Sequence, residues 1–226
     1  MSCLFVYALG SPRIEIDQHP VEVDTRKAIA MVIYLAIRGE NHRRESLAAL
    51  LWPEYDQTHA MGAMRRTLST LRKALGGEFL EIKRDSVGLH PEAEVWVDAG
   101  EFLRLIVECR THGHAVNQVC PRCLPLLEQA LQIYRDDFMA GFSLRDSVEF
   151  DDWQFFQREA LRRDLSGVLE RLVEGYTAQG DFQQAIQVAR RQIALDPLDE
   201  PAHRQLMKLY AHAGQFNAAL RQYQEC

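Results

Sequence analysis

No run of 18 apolar residues occurs anywhere in this 226-residue chain, so no segment reads as a membrane-spanning helix. The opening, M-S-C-L-F-V-Y-A-L-G-S, lacks a basic start and soon turns polar. It does not read as a signal peptide, and it predicts a cytoplasmic protein with reduced thiols. Also missing are the phosphate loop Gly-x-x-x-x-Gly-Lys-Ser/Thr, the elbow Gly-x-Ser-x-Gly and the pair His-Glu-x-x-His, and the chain does not read as an enzyme. The acidic pairs Asp136-Asp137 and Asp151-Asp152 fall at predicted helix ends, as caps or solvated faces. Trp153, Phe155 and Phe156 read as helix-bundle core rather than a cofactor box, His203 as packing, and Gly10-Ser11-Pro12 as a turn. An excess of positive charge is absent too, with 26 Lys+Arg against 32 Asp+Glu. The two signs are spread unevenly: residues 1–90 hold 12 basic and 11 acidic residues, and 91–226 hold 14 and 21. A near-neutral part followed by an acidic one suits a binding module joined to an interaction module.

Against that background one basic stretch stands out. Asp56 and Thr58 are both N-cap candidates and Gly76-Gly77 is a stop, which predicts a helix over 58–75. Met61, Met64, Leu68, Leu71 and Leu75 step by three and four residues onto one side. His59, Gly62, Ala63, Arg66, Ser69, Thr70 and Lys73 then point away from that stripe, with Arg65 and Arg72 on its shoulder. Arg65, Arg66, Arg72 and Lys73 lie between Met61 and Leu75 with no acid among them. An apolar back, small residues in the first exposed turns and an arginine-rich front suit insertion into a major groove. The same pattern also describes a solvated helix lying on a domain core.

In chain order, Leu4–Leu9 and Arg13–Asp17 read as strands, Asp17-Gln18-His19-Pro20 as a turn and Val21–Val23 as a third strand. Asp24 or Thr25 caps a helix with Ile29, Val32, Ile33 and Ala36 inward, ending at Gly39. The polar turn Glu40-Asn41-His42 leads into a second helix, Arg44–Trp52, with Leu47, Leu50 and Leu51 inward and Pro53 after it. Beyond the basic helix, Leu80 and Ile82, then Lys83-Arg84-Asp85-Ser86, then Val87 and Leu89 form a hairpin pattern. Strands, three helices and a basic-tipped hairpin are the layout of a winged helix-turn-helix.

These residues carry a resemblance. Residues 1–98 resemble the OmpR-type winged helix, with R-R-E-S-L-A-A-L-L-W-P and R-R-T-L-S-T-L-R-K-A-L similar to its positioning and recognition helices. Residues 99–226 resemble the bacterial transcriptional activation domain that follows this winged helix in the Streptomyces antibiotic regulatory protein family, most specifically in D-P-L-D-E-P-A-H-R-x-L-M. The resemblance implies that the third helix reads double-stranded DNA through Arg66, Ser69, Thr70 and Lys73. It departs at Ser69 and Thr70, where many OmpR-type helices carry Arg; hydroxyls read bases less directionally than a bidentate Arg does. Arg65, Arg72, Arg43 and Arg44 are then candidate phosphate contacts that set register. Lys83 and Arg84 are candidate wing contacts to the backbone or an adjacent minor groove, with ordinary hairpin charges as the alternative.

The second half reads as helical: Glu101–Glu108, Leu124–Phe138 and Phe150–Gln179, with a break at Gly141-Phe142-Ser143. A repeat follows at an offset of 34, matching Leu172 to Leu206, Tyr176 to Tyr210, Gly180 to Gly214, Phe182 to Phe216 and Ala185 to Ala219. This predicts tetratricopeptide-like helix pairs, which form a groove for a protein partner or, alternatively, a purely structural bundle. In the loop after the first helix, C-R-T-H-G-H-A-V-N-Q-V-C-P-R-C places two thiols at the Cys-x-x-Cys bite. His112, His114, Cys120 and Cys123 form a candidate structural zinc set with Cys109 as alternate ligand; free thiols and a disulfide are the other readings. The fold expected is thus an α+β winged helix-turn-helix followed by an all-α tetratricopeptide-like domain. The function expected is a sequence-specific transcription regulator with no required cofactor. Its helical half would pair with RNA polymerase, a second copy or a further sensory domain. A non-DNA-binding interaction scaffold is the alternative. The chain stops soon after a repeat helix begins, as an N-terminal fragment would.

Overall fold

The computed structural model describes residues 2–23, 25–113 and 119–225. Strand β1 (Cys3–Tyr7) buries Leu4 and Val6 by simple alternation and pairs antiparallel with β2 (Arg13–Ile16). The next strand, β3 (His19–Pro20), comes earlier than Val21–Val23, where the sequence places it, and residues 21–23 are outside any strand. Asp17 and Gln18 both take positive φ, 51° and 66°, and Ile16 faces His19 across them. This two-residue turn matches the strand twist, so the chain returns at once.

Helix α1 (Arg26–Arg38) starts at Thr25, whose hydroxyl accepts the Ala28 N–H, and stops at Gly39. His42 and Arg43, which read as part of a turn and a helix start, form the short strand β4. α2 spans Arg44–Leu51 and α3 Gln57–Leu75, with Asp56 rather than Thr58 as its cap, accepting the His59 N–H at 3.0 Å. The hairpin is β5 (Leu80–Ile82) and β6 (Ser86–Leu89), and β4 adds to β6 as a third wing strand. Gly88 is required there: a Cβ would collide with the Asn41 amide and come within 3.2 Å of Asn41 Cα. Strand β7 (Glu94–Val97), unmarked in the sequence reading, lies parallel to β1 and completes the order β3-β2-β1-β7.

Two compact units emerge, Met1–Glu101 with Tyr134–Glu159, and Phe102–Ile133 with Ala160–Cys226. In the first unit the segment after Ile133 is not helical, although its periodicity extends to Phe138. Gly10 N–H donates to Asp137 O at 3.1 Å and Met139 N–H to Ala8 O at 2.6 Å, while Leu9 and Phe138 form a β-bridge. Pairing with residues 8–10, just past β1, therefore overrides helix propensity. Trp153 packs at 4.8 Å from Tyr34, 5.2 Å from Phe150 and 5.7 Å from Phe138. Phe155 and Phe156, predicted as core, are exposed: at about 100° per residue both lie roughly 100° or more around the helix from the side on which Phe150, Gln154 and Leu161 are buried.

The second unit holds most of α4 (Asp98–Arg110), α5 (Cys123–Ile133), the later part of α6 (Val148–Gln179), α7 (Phe182–Leu195), α8 (Glu200–His212) and α9 (Phe216–Glu225). Its periodicity is visible in the backbone. Gly180 and Gly214 both take left-handed φ, 77° and 71°. Asp181 N–H bonds Tyr176 O and Ala185 N–H bonds Asp181 O; 34 residues on, Gln215 N–H bonds Tyr210 O and Ala219 N–H bonds Gln215 O. His203 is buried and satisfied, bonding Pro197 O at 3.0 Å and the Gln222 amide at 2.8 Å.

Candidate nucleic-acid interface

Helix α3 buries Ala60, Ala63, Met64, Leu68, Leu71 and Leu75, and it packs against α1 and α2. The stripe is close to the one its spacing predicts, with a correction at the N-terminal end. Ala63, placed outward by a simple wheel, is buried, and Met61 is half-buried. Ala is small enough to sit against a neighbour on the flank of the stripe, so burial there extends around the helix.

Arg65, Arg66, Ser69, Arg72 and Lys73 are exposed along the other side, and Thr70 is half-buried. Arg66, Thr67 and Thr70 form one wall of an open groove of about 710 Å³ within the first unit, across which stand Arg26 and Arg145. Arg26 is anchored, with its Nε donating to Ser143 O at 3.1 Å and its guanidinium over the Phe142 ring. Arg65 Nε donates to Met61 O, so that side chain is folded back on its own helix in this state.

The wing presents Lys83 and Arg84, both exposed, with Lys83 Nζ 2.8 Å from Glu81 Oε2. Arg43 is exposed as well. Arg44 is half-buried and works differently: its N–H donates to Asp85 O at 2.9 Å and its Nη1 to Arg84 O at 3.3 Å. The first residue of α2 thus braces the wing turn, a role that spacing alone does not reveal. On β4, burial lowers the His42 pKa, and the ring packs 5.0 Å from Tyr34.

In the other unit, His112, Cys120 and Cys123 come together with their ligand atoms all within 4.8 Å of one another. His114 lies outside the described residues. Cys109 does not join them; its buried thiol donates to Cys123 O at 3.7 Å, and burial, with Cys123 beside it, pushes that thiol up to about 11. Burial also works against the Cys120 thiolate, yet hydrogen bonds from the His112 and Cys123 side chains and from backbone N–H groups outweigh it and bring that thiol down to about 6.

A winged helix-turn-helix with an exposed basic third helix, joined to a helical domain, is the architecture these elements define. The family profile for the bacterial transcriptional activator domain matches residues 97–226, more than half of the sequence, and the chain belongs to that family of transcription regulators. Curated proteins give no match. Among solved structures, Mycobacterium tuberculosis EmbR in complex with a low-affinity phosphopeptide is similar, with a TM-score of 0.71 and 22% identity over 99% of this chain. At that identity the likeness is one of fold. The chain spans 59% of the length of that EmbR chain.

Proposed function

We propose that this protein is a cytoplasmic, sequence-specific DNA-binding regulator, in keeping with its family an activator, with α3 as the recognition helix in the major groove. One observation carries the reading: Arg65, Arg66, Ser69, Arg72 and Lys73 are exposed in a single row on a helix braced from behind by α1 and α2. Arg66 and Lys73 reach guanine edges or nearby phosphates, Ser69 and Thr70 make short contacts to base edges, and Arg65, Arg72 and Arg43 hold phosphates. Lys83 and Arg84 approach the backbone from the wing, and Arg44 sets the wing's position. The helical domain pairs in a tetratricopeptide-like manner and contacts RNA polymerase or a second copy. The repeat at 34 residues, seen alike in sequence and in backbone hydrogen bonds, supports that part.

The test begins with selection of bound sites from random duplexes by the full chain. Binding to the selected site is then measured for Arg66→Glu/Lys73→Glu. Charge reversal at two contacts of roughly 1–3 kcal/mol each should abolish specific retention. The thermal transition should stay near that of the unaltered protein, because neither side chain supports the core. Undiminished retention by that variant overturns the assignment of α3, and failure of the full chain to select any site leaves the interaction scaffold.

A further inference from the structure

We propose that His112, Cys120 and Cys123 hold a zinc ion that pins the turn between α4 and α5. The three donor atoms form a nearly regular triangle: His112 Nδ1 lies 3.5 Å from Cys120 Sγ and 3.3 Å from Cys123 Sγ, and the two sulfurs are 3.5 Å apart. Zinc–sulfur bonds of about 2.3 Å and zinc–nitrogen bonds of about 2.0–2.1 Å in a tetrahedron give edges of about 3.6–3.8 Å. The triangle therefore needs only a few tenths of an ångström of expansion to become one face of the coordination polyhedron.

The chemistry of the set points the same way. Two thiolates and an imidazole are borderline-soft donors, which favour zinc over calcium or magnesium. A disulfide needs only the two sulfurs, whereas here an imidazole nitrogen lies within 3.5 Å of both and completes a three-donor face. The chain path preorganises the group: Cys123 N–H donates to Cys120 O at 2.9 Å, closing the Cys-x-x-Cys turn, and Cys123 opens α5. Cys109, at the end of α4, and Cys123 exchange thiol-to-carbonyl bonds of 3.7 Å in both directions. The two helix ends are thus tied by thiol-to-carbonyl hydrogen bonds before any ion enters.

The turn is also seated on the rest of its unit. A Cβ on Gly175 of α6 would approach Leu124 Cδ1 to 2.8 Å and Val119 Cγ1 to 3.1 Å, so the residues beside both thiols rest on α6 backbone. An ion there fixes the first helix pair of this unit against the first helix of the 34-residue repeat. The role is structural: it joins the end of α4 to the start of α5.

The experiment uses the full chain, purified under reducing conditions without chelator, supplied with zinc and passed through gel filtration before elemental analysis. The expected result is about one zinc per chain, falling severalfold in His112→Ala, Cys120→Ser and Cys123→Ser and staying unchanged in Cys3→Ser. Cobalt(II) added to the unaltered, metal-free protein should give tetrahedral ligand-field bands with thiolate-to-cobalt charge transfer; this arm needs no variant to fold. Absence of both bound zinc and the cobalt spectrum in folded protein overturns the proposal. So does a Cys120–Cys123 disulfide in protein isolated without oxygen, or zinc retained undiminished by the three ligand variants.

Discussion

Asp98 shows how much one side chain holds in the winged unit. It is 3% exposed, and its carboxylate accepts the N–H groups of Ala8, Leu9 and Ala99 at 2.7–2.9 Å. Burial raises its pKa in spite of these bonds, so desolvation is the larger effect. Asp98→Ala would leave three buried donors without their acceptor, and a loss on the order of 3 kcal/mol is expected in urea unfolding. Asp98 stands in the sequence only as a residue at a domain edge; two of its three partners, Ala8 and Leu9, lie 90 and 89 positions away. His42 gives a pH signature. Burial lowers its pKa from 6.5, so the neutral ring is the folded form. As pH falls through about 6.5 the unfolded chain takes up the proton first, and stability is lost in that window. His42→Phe keeps a ring against Tyr34 without the charge, and its thermal midpoint should fall less than that of the unaltered protein between roughly pH 7 and 5.5. Gly88→Ala should destabilise the wing, measurable as faster amide exchange in β5 and β6, since the Asn41 backbone cannot yield as a side chain would.

At the scale of elements, periodicity and caps located α1, α2 and α3 closely, because a helix braced on a core shows its stripe in the sequence. Strands β4 and β7 were missed for the opposite reason. Each is two to four residues long and acquires its character from a partner, β6 or β1, remote in sequence. The basic face of α3 was legible as a row of charges, whereas the distinction between an exposed Arg43 and an Arg44 tied to the wing was not. If about six phosphates are neutralised by this face and the wing, log affinity should fall with log salt at a slope of about −5. Arg44→Ala is expected to act on the wing rather than to remove one full phosphate contact. Its salt slope should stay near that of the unaltered protein, while Arg72→Ala should lose roughly one unit. Fluorescence anisotropy over a salt series separates the two.

At the scale of the whole molecule, the winged unit is completed by residues 134–159, which return to it after α5. Phe138 and Phe150 are fully buried there, and Ser147 Oγ donates to Leu50 O at 2.5 Å. A chain ending at residue 101 should therefore lose its cooperative thermal transition and bind a hydrophobic dye, since it exposes the surface those residues cover. A sharp transition like that of the full chain would show that the N-terminal segment is sufficient.

Local pattern alone determined the helices, their caps, the hairpin with its basic tip, the 34-residue repeat and the crowding of thiols and imidazoles in one loop. These follow from contacts and dihedral preferences within a few residues, or from self-similarity along the chain. Tertiary structure decided where α5 ends, which aromatic residues are core, that Arg44 braces the wing, and which cysteines share an imidazole. Each depends on a partner distant in sequence, so backbone pairing and packing overrode what the local pattern favoured.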